Sequence, residues 1–172
     1  GGKNKNSQRC IIMYISPGEY AKTFEELKRT SLLHYTCKLV IFVLCLNIDA
    51  LCSAKILSLL FKKELIQYQL IPVVGYTDLK SHFLRLELDV TNVVLLGCGA
   101  MLDLEAFFEA EDEDLPRKIY IIDGRRPWNL DNLYGSKTVI CFDDGYVDGN
   151  LSKEKNAYEK LVEFGDEEEE EE

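Results

Sequence analysis

The chain has 172 residues and 47% hydrophobic content, which is enough to bury the core of one compact domain. Its formal net charge is -10, but the acidic run at 166–172 supplies seven of those charges and leaves -3 for the rest. This balance excludes the broad basic surface that an autonomous nucleic-acid-binding domain needs to neutralise phosphates, so any nucleic-acid contact is expected to be local.

The cysteines and apolar runs bear on where the protein resides. The six cysteines form no C-x-x-C pair and are expected to be reduced, which favours the cytosol or the nucleus. The apolar run KLVIFVLCL is too short for a membrane span, which needs roughly 18 residues. The polar start GGKNKNSQRC lacks the pattern of a signal peptide. Residues 1–12 are expected to be a disordered or upstream segment, with Met13 as a natural start.

The first predicted elements are a helix, a strand and a second helix. The motif SPGE at 16–19 has the form of a capping box, and it predicts a helix that ends near Arg29. Residues 38–46 are apolar after the first position, which is typical of a strand covered on both faces. The period then changes, and the apolar spacing from Ala50 to Lys62 predicts a helix that packs on the sheet.

The same alternation recurs along the rest of the chain. Further strands are predicted at Tyr68–Val74, Asn92–Leu96, Lys118–Ile122 and Thr138–Phe142. Further helices are predicted at Thr77–Leu86, Leu102–Phe108 and Ser152–Phe164. Because strands that alternate with helices imply right-handed crossovers, we predict an α/β fold, a doubly wound, mainly parallel five-stranded sheet with helices on both faces. This domain is expected to span residues 13–164, and 165–172 is expected to begin an acidic, disordered linker.

The fold class predicts where a site lies. In an open parallel sheet, ligands bind beyond the carboxyl ends of the strands, where the strand order reverses. That rule selects the loops at 46–50, 97–100 and 123–127. Asp49 and Asp123 are the two aspartates in these loops that can face each other across the crevice. Carboxylates in such positions are the ligands that divalent metal ions prefer in phosphoesterases.

Three motifs resemble one known family. CLNIDALCSAKIL, LLGCGAMLDL and IIDGRRPWNLDNLYG occur in that order and at that spacing, and the likeness continues through CFDDG and the last helix. Together they resemble the N-terminal part of the cell division control protein 45 family of eukaryotic replication factors, and most closely its fungal members. That family is similar in turn to the DHH phosphoesterases, including the RecJ-type single-strand exonucleases. The resemblance therefore implies a DHH-like fold.

The chain departs from the DHH pattern at most of its metal-binding positions. That pattern has an Asp-x-Asp turn after the first strand, an aspartate after the third, and Asp-His-His after the fourth. The corresponding positions here are Asn47, Asp49, Gly97, Asp123, Gly124 and Arg125. Two carboxylates carry at most -2 against the +4 of two divalent ions, so we expect no metal centre and no catalytic residue.

The arginines that follow Asp123 favour a structural role for this aspartate. We expect Asp123 to accept hydrogen bonds from Arg125, Arg126 or the following backbone and so to fix the loop. Asp49 lies where a helix begins, so it is expected to be an N-cap or first-turn carboxylate. Trp128 suits either a packed lid or a protein contact.

The remaining candidate groups have simpler explanations. The glycines around Cys98 can bind an anion through backbone amides or merely permit a tight turn. A nucleophilic role for Cys98 is not favoured, because no histidine stands in a recognisable relation to it. His34 falls in a predicted connector, and His82 falls in an amphipathic helix where packing or exposure is favoured over ligation.

The resemblance implies a nuclear, non-enzymatic factor of replication initiation and elongation. It would belong to the replicative helicase assembly, with the minichromosome maintenance hexamer and the GINS complex as partners and no cofactor, membrane or small-molecule substrate. Candidate contact surfaces are Lys62 and Lys63, the loop at 125–134, and the acidic tail. Two other functions stay open: a metal-dependent DHH/RecJ-like phosphoesterase that uses Asp49 and Asp123, and a module that binds single-stranded DNA.

Overall fold

One parallel sheet organises the protein. The structure is a computed structural model that describes residues 12–32, 39–109 and 117–169. Its strands are β1 (Tyr14–Ile15), β2 (Leu39–Leu44), β3 (Gln69–Val73), β4 (Asn92–Leu96), β5 (Lys118–Ile122) and β6 (Val139–Phe142). Its α-helices are α1 (Tyr20–Leu32), α2 (Ile48–Lys63), α3 (Tyr76–Phe83), α4 (Leu104–Phe107), α5 (Leu130–Tyr134), α6 (Tyr146–Asn150) and α7 (Ser152–Glu169). A short 3-10 helix, Pro17–Glu19, precedes α1.

The strand order is β1-β6-β5-β4-β2-β3, and all five strand pairs are parallel. The predicted doubly wound, parallel α/β fold is therefore confirmed. The predicted count of five strands is wrong, because β1 adds a sixth strand that pairs Tyr14 with Cys141 and Ile15 with Phe142. A strand of two residues is too short to show an alternation of apolar and polar positions, so the sequence pattern does not reveal it.

The sheet is covered on both faces, which explains the continuous apolar composition of its central strands. Leu39, Ile41 and Val43 of β2 pack in one core cluster with residues of α1 and α2. Val40 and Phe42 belong to a second core cluster, which includes residues of α3, α4 and α5. Successive residues of a strand point to opposite faces, so a strand buried on both sides has no polar alternation.

The helices differ from the predictions mainly at their ends. The short helices α5 and α6 were not predicted, because five residues are too few to show a helical period. The last helix was predicted to end at Phe164 but continues to Glu169. The predicted segment 1–12 lies outside the described residues except for Ile12, as do 170–172 of the predicted linker. The predicted domain limits stay predictions.

None of the helices in the described ranges is both long enough and apolar enough to span a membrane.

Glu105 of α4 fastens this helix to the start of β6. One carboxylate oxygen accepts hydrogen bonds from Ser136 Oγ at 2.6 Å, Thr138 Oγ1 at 2.9 Å and the amide of Lys137 at 3.2 Å. Burial alone would raise the pKa of Glu105, but these hydrogen bonds outweigh it and the pKa is lowered. The ionised carboxylate is therefore the form that joins the two elements.

The Glu105→Gln variant is expected to be less stable than the wild type at neutral pH. Because the folded pKa is lowered, the contribution of Glu105 is present above the ordinary glutamate pKa of about 4.3 and is lost as the pH falls below it. Urea unfolding of both proteins from pH 7 to pH 3 measures this difference. A stability gap that stayed constant over that range would contradict the assignment.

Candidate functional site

The candidate site lies at the carboxyl ends of β2, β4 and β5. From β2 the chain proceeds to β3 on one side and then to β4 on the other, so the strand order reverses between β2 and β4. Crevices at such a reversal are the usual ligand sites of open α/β sheets. The loops that follow these three strands contain Asn47, Gly97 and Asp123, which the sequence placed there.

Asp123 is buried directly after β5. Its Oδ1 accepts hydrogen bonds from the Arg125 amide at 3.0 Å and from Arg125 Nε at 3.3 Å. Its Oδ2 accepts a hydrogen bond from the amide of Ala100 at 3.4 Å. Asp123 therefore connects the loop after β5 with the loop after β4.

Arg125 reaches across the crevice between these loops. Its Nη2 donates to the carbonyl oxygen of Gly97, while its Nε donates to Asp123. The amide of Gly97 in turn donates to the carbonyl oxygen of Ile122 at 2.8 Å. A permanently charged guanidinium thus bonds to both Asp123 and Gly97, two of the predicted site positions.

Gly97 packs closely against the start of α2. Its φ is +74°, and a Cβ atom at this position would lie 2.7 Å from Ala50 Cβ and 3.7 Å from Asn47 Nδ2. Asn47 itself is the N-cap of α2, because its Oδ1 accepts a hydrogen bond from the amide of Ala50 at 3.2 Å. The side-chain amide of Asn47 therefore caps α2. Position 97 accepts only glycine unless the neighbouring residues move.

Asp49, Gly124 and Arg125 are the three predicted site positions that are exposed, although the Arg125 guanidinium bonds within the crevice. Asp49 lies in the first turn of α2, where its charge is favourable to the helix dipole, and it is not the N-cap. Gly124 is exposed, and a Cβ atom there would meet no atom within 4 Å. Asp49 therefore does not share the buried environment of Asp123.

Arg126 and Trp128 form a stacked pair beside the crevice. The Arg126 guanidinium carbon lies 3.9 Å from the centre of the Trp128 ring and 4.8 Å from that of Tyr146. Arg126 also pairs with Asp144 at 3.1 Å, and the indole of Trp128 is buried. These contacts hold the loop against the start of α6.

Cys98 and His82 lie in environments that explain them without catalysis. Burial raises the pKa of the Cys98 thiol to about 12, and the nearby charge of Asp123 acts in the same direction. The thiol is therefore protonated at neutral pH, whereas a nucleophile must be a thiolate. His82 lies 3.3 Å from Asp78 one turn earlier in α3. His34 lies outside the described residues.

Two buried polar residues support the site although the sequence did not single them out. Asn132 of α5 donates to the carbonyl oxygens of Gly99 and Leu102 and accepts from the amide of Leu104. Asp143 accepts hydrogen bonds at the start of α6, including one from the amide of Val147 at 3.1 Å. A buried side chain of this kind is recognised by its partners, which the sequence does not show. The one local signal is the Asp-Asp-Gly after β6, because an aspartate before a turn commonly accepts hydrogen bonds from the backbone amides that follow it.

In the part of the chain that the structure describes, no three side chains of His, Cys, Asp or Glu converge so that they could hold a metal ion.

Asp123→Ala is expected to lower the free energy of unfolding by about 1–3 kcal/mol, because it leaves the buried amide of Ala100 and the amide of Arg125 without their acceptor. Urea unfolding measures the change. Asp123→Asn is the matched control, since it keeps one oxygen acceptor and should lose less. An unchanged urea unfolding curve for Asp123→Ala would show that the loop does not depend on this carboxylate.

The comparisons with known proteins agree with the fold and the motifs. Residues 40–172 match the model of the CDC45 family. Cell division control protein 45 of Saccharomyces cerevisiae is 44% identical over 168 residues, which cover 90% of this chain and 26% of the yeast protein. The homolog from Homo sapiens is 32% identical over 160 residues, which cover 91% of this chain and 25% of the human protein.

A solved structure has the same fold. The crystal structure of CDC45 from Entamoeba histolytica superposes with a TM-score of 0.67 over 77% of this chain and 26% of that chain, at 24% sequence identity. The chain spans about a quarter of the length of the curated relatives it matches. The family match covers most of the chain and two relatives exceed 30% identity along nearly all of it, so this chain belongs to the CDC45 family.

Proposed function

We propose that this chain is a non-catalytic scaffold module of the DNA replication machinery, built on a degenerate DHH-like phosphoesterase domain. The observation that carries the proposal is the position of Arg125. Its guanidinium bonds to Asp123 and to the Gly97 carbonyl oxygen, in the crevice where a DHH enzyme would bind its metal ions.

Electrostatics support this proposal. An arginine about 5 Å from a divalent ion is repelled by roughly 7 kcal/mol at an effective dielectric constant of 20, an upper figure for a partly exposed site. Pairing with Asp123 offsets part of this repulsion, but the Asp123–Arg125 pair then has no net charge and offers a metal ion no net attraction. Asp49 is exposed in the first turn of α2 and offers a single further carboxylate.

The partners that we propose are the hexameric minichromosome maintenance motor and the GINS complex, in the nucleus. Membership of a cell division control family supports a replication role. The experiment is a pull-down of each purified complex by the tagged chain, over a series of salt concentrations. Capture of one of them at near-physiological salt is the expected result, and capture of neither would contradict this role.

The phosphoesterase alternative has its own test. Manganese is titrated into the chain by calorimetry, and nucleotide release from single-stranded DNA is followed in parallel. We expect neither metal-dependent binding at the crevice nor turnover. Turnover that requires manganese and is lost in Asp49→Ala or Asp123→Ala would replace the scaffold proposal with an enzyme.

A third function, binding of single-stranded DNA without cleavage, is distinguished from the scaffold and from the phosphoesterase by the salt dependence of binding. Phosphate contacts release counterions, so genuine binding weakens steeply from low to moderate salt. The scaffold proposal expects no binding that depends on Arg125, whose guanidinium is already engaged with Asp123 and Gly97. Salt-sensitive binding lost in Arg125→Ala would favour the nucleic-acid module.

A further inference from the structure

The outer face of α2 is unusually apolar for an exposed helix. One side of this helix packs on the sheet through Ala50, Ala54 and Phe61. The opposite side also carries large apolar residues, of which Ile48 is 76%, Ile56 63% and Leu59 54% exposed. Leu51 is exposed beside them. Large apolar side chains that are exposed together on one helix face are typical of a contact surface, so this face is expected to have a covering partner.

The spacing of these residues matches the contact surface of a second helix. Ile48, Cys52, Ile56 and Leu59 are exposed and follow the three- and four-residue steps that place side chains along one side of a helix. The helix has 16 residues and is therefore about 24 Å long. A single amphipathic helix of similar length would cover this stripe by packing its side chains between those of α2.

Lysines on the same helix specify the charge of the partner. Lys55, Lys62 and Lys63 are exposed, and none of them forms an ion pair with a carboxylate of the described residues. The carboxylate of Glu64, which follows α2, is already paired with Lys28. The stripe thus combines apolar side chains with unneutralised positive charge, although the chain as a whole carries -10.

The local positive charge of α2 and the negative charge of the whole chain together favour a protein helix over an anionic membrane as the occupant of this face. A vesicle surface is an extended sheet of negative charge, and it would repel a chain whose net charge is -10. A single helix with acidic flanks meets mainly the local field of the three lysines, since Asp49 is the one acidic residue within α2. A second copy is disfavoured by charge, because the exposed Lys55, Lys62 and Lys63 of both copies would be brought together at the interface.

We propose that the outer face of α2 docks an acidic amphipathic helix of a partner protein. Leucine-like side chains of the partner contact Ile48, Ile56 and Leu59, and its glutamates or aspartates pair with Lys55 and Lys63. This surface is distinct from the crevice at the carboxyl ends of the strands, and Asp123 and Arg125 do not contribute to it.

The test uses two labelled synthetic peptides and the full chain. One peptide is a helix with leucines at i, i+3, i+4 and i+7 and glutamates on the flanks, and the other has lysine in place of every glutamate. Fluorescence anisotropy is expected to show binding of the acidic peptide and no binding of the basic one, with affinity that falls as salt rises. Equal binding of the two peptides, or no binding of either, would overturn the proposal.

Substitutions on α2 localise the contact. The double variant Ile56→Gln with Leu59→Gln keeps good helix formers on the surface and is expected to weaken acidic-peptide binding about tenfold or more. The triple variant Lys55→Glu, Lys62→Glu and Lys63→Glu is expected to reverse the preference in favour of the basic peptide. The matched control replaces Leu84 and Leu161, which are 59% and 71% exposed elsewhere, with glutamine and should bind as the wild type does.

Two further measurements exclude other occupants. Sedimentation of the chain with phosphatidylserine vesicles and sedimentation equilibrium of the chain alone are each compared with the Ile56→Gln, Leu59→Gln variant. If the proposal is right, the wild-type chain neither binds vesicles nor dimerises through the outer face of α2. The contrary result would be vesicle binding or dimerisation that is present in the wild type and lost in the Ile56→Gln, Leu59→Gln variant. Either result would overturn it, in favour of a membrane surface or of a second copy of the chain.

Discussion

Gly97→Asp is expected to lower the free energy of unfolding by about 2–4 kcal/mol and to create no metal-binding site. The substitution restores the carboxylate that the DHH pattern has after this strand. Its Cβ atom, however, would lie 2.7 Å from Ala50 Cβ, and the φ of +74° is unfavourable for a residue with a side chain. The aspartate can be accommodated only if β4 and α2 move apart at the point where they pack.

Urea unfolding and manganese calorimetry of the Gly97→Asp variant measure both parts of this expectation. Gly124→Asp is the matched control, because a Cβ atom at the exposed position 124 would meet no atom within 4 Å, and this variant should change stability little. Adding Ala50→Gly to Gly97→Asp removes the close contact, so it should recover part of the lost stability. A Gly97→Asp protein that was as stable as the wild type and bound manganese would show that this crevice readily regains metal binding.

The sheet was largely predictable because its strands are buried on both faces. Burial on both sides makes the segment at 39–44 continuously apolar, and such a run is visible in the sequence without any knowledge of the fold. β1 was not predictable, because its two residues are defined only by pairing with β6. Local composition thus identifies the elements that contribute most to the core, and long-range pairing defines the remainder.

The location of the candidate site followed from topology, and its internal contacts did not. Once parallel strands were predicted, the rule for open sheets placed Asn47, Gly97 and Asp123 at one edge. The sequence also predicted that Asp123 accepts hydrogen bonds from Arg125, Arg126 or the following backbone, but not that Arg125 reaches the Gly97 carbonyl oxygen of another loop. That contact depends on a side-chain rotamer and on the close approach of two loops, which no pattern of residue types encodes.

The buried amide of Asn132 illustrates the same limit. In the sequence this residue is one of several polar positions in a short helix, and asparagine is more often exposed than buried. In the structure it is buried, and it joins α5 to the loop after β4 and to the first turn of α4. The shape of the Gly99 loop beside the crevice therefore depends on a residue that is about thirty positions away in the chain.

Asn132→Leu is accordingly expected to lower the free energy of unfolding by about 3–5 kcal/mol. Leucine has the same branched arrangement of four side-chain heavy atoms but a larger volume, so overpacking adds to the loss that arises from polar groups. Three backbone groups, the carbonyl oxygens of Gly99 and Leu102 and the amide of Leu104, lose their partner in a buried setting. Each such orphaned group costs about 1–3 kcal/mol, and partial rehydration reduces the sum.

Urea unfolding measures the effect of Asn132→Leu, and hydrogen exchange of the Leu104 amide tests whether it is local. Asn129→Leu is the matched control in the same helix, because Asn129 is its N-cap and accepts a single hydrogen bond from the Asp131 amide at 2.9 Å. Loss of that cap should cost about 1 kcal/mol, well below the loss at 132. Equal losses of stability in Asn132→Leu and Asn129→Leu would contradict this expectation. They would mean that the Gly99 loop does not rely on the buried side chain of Asn132.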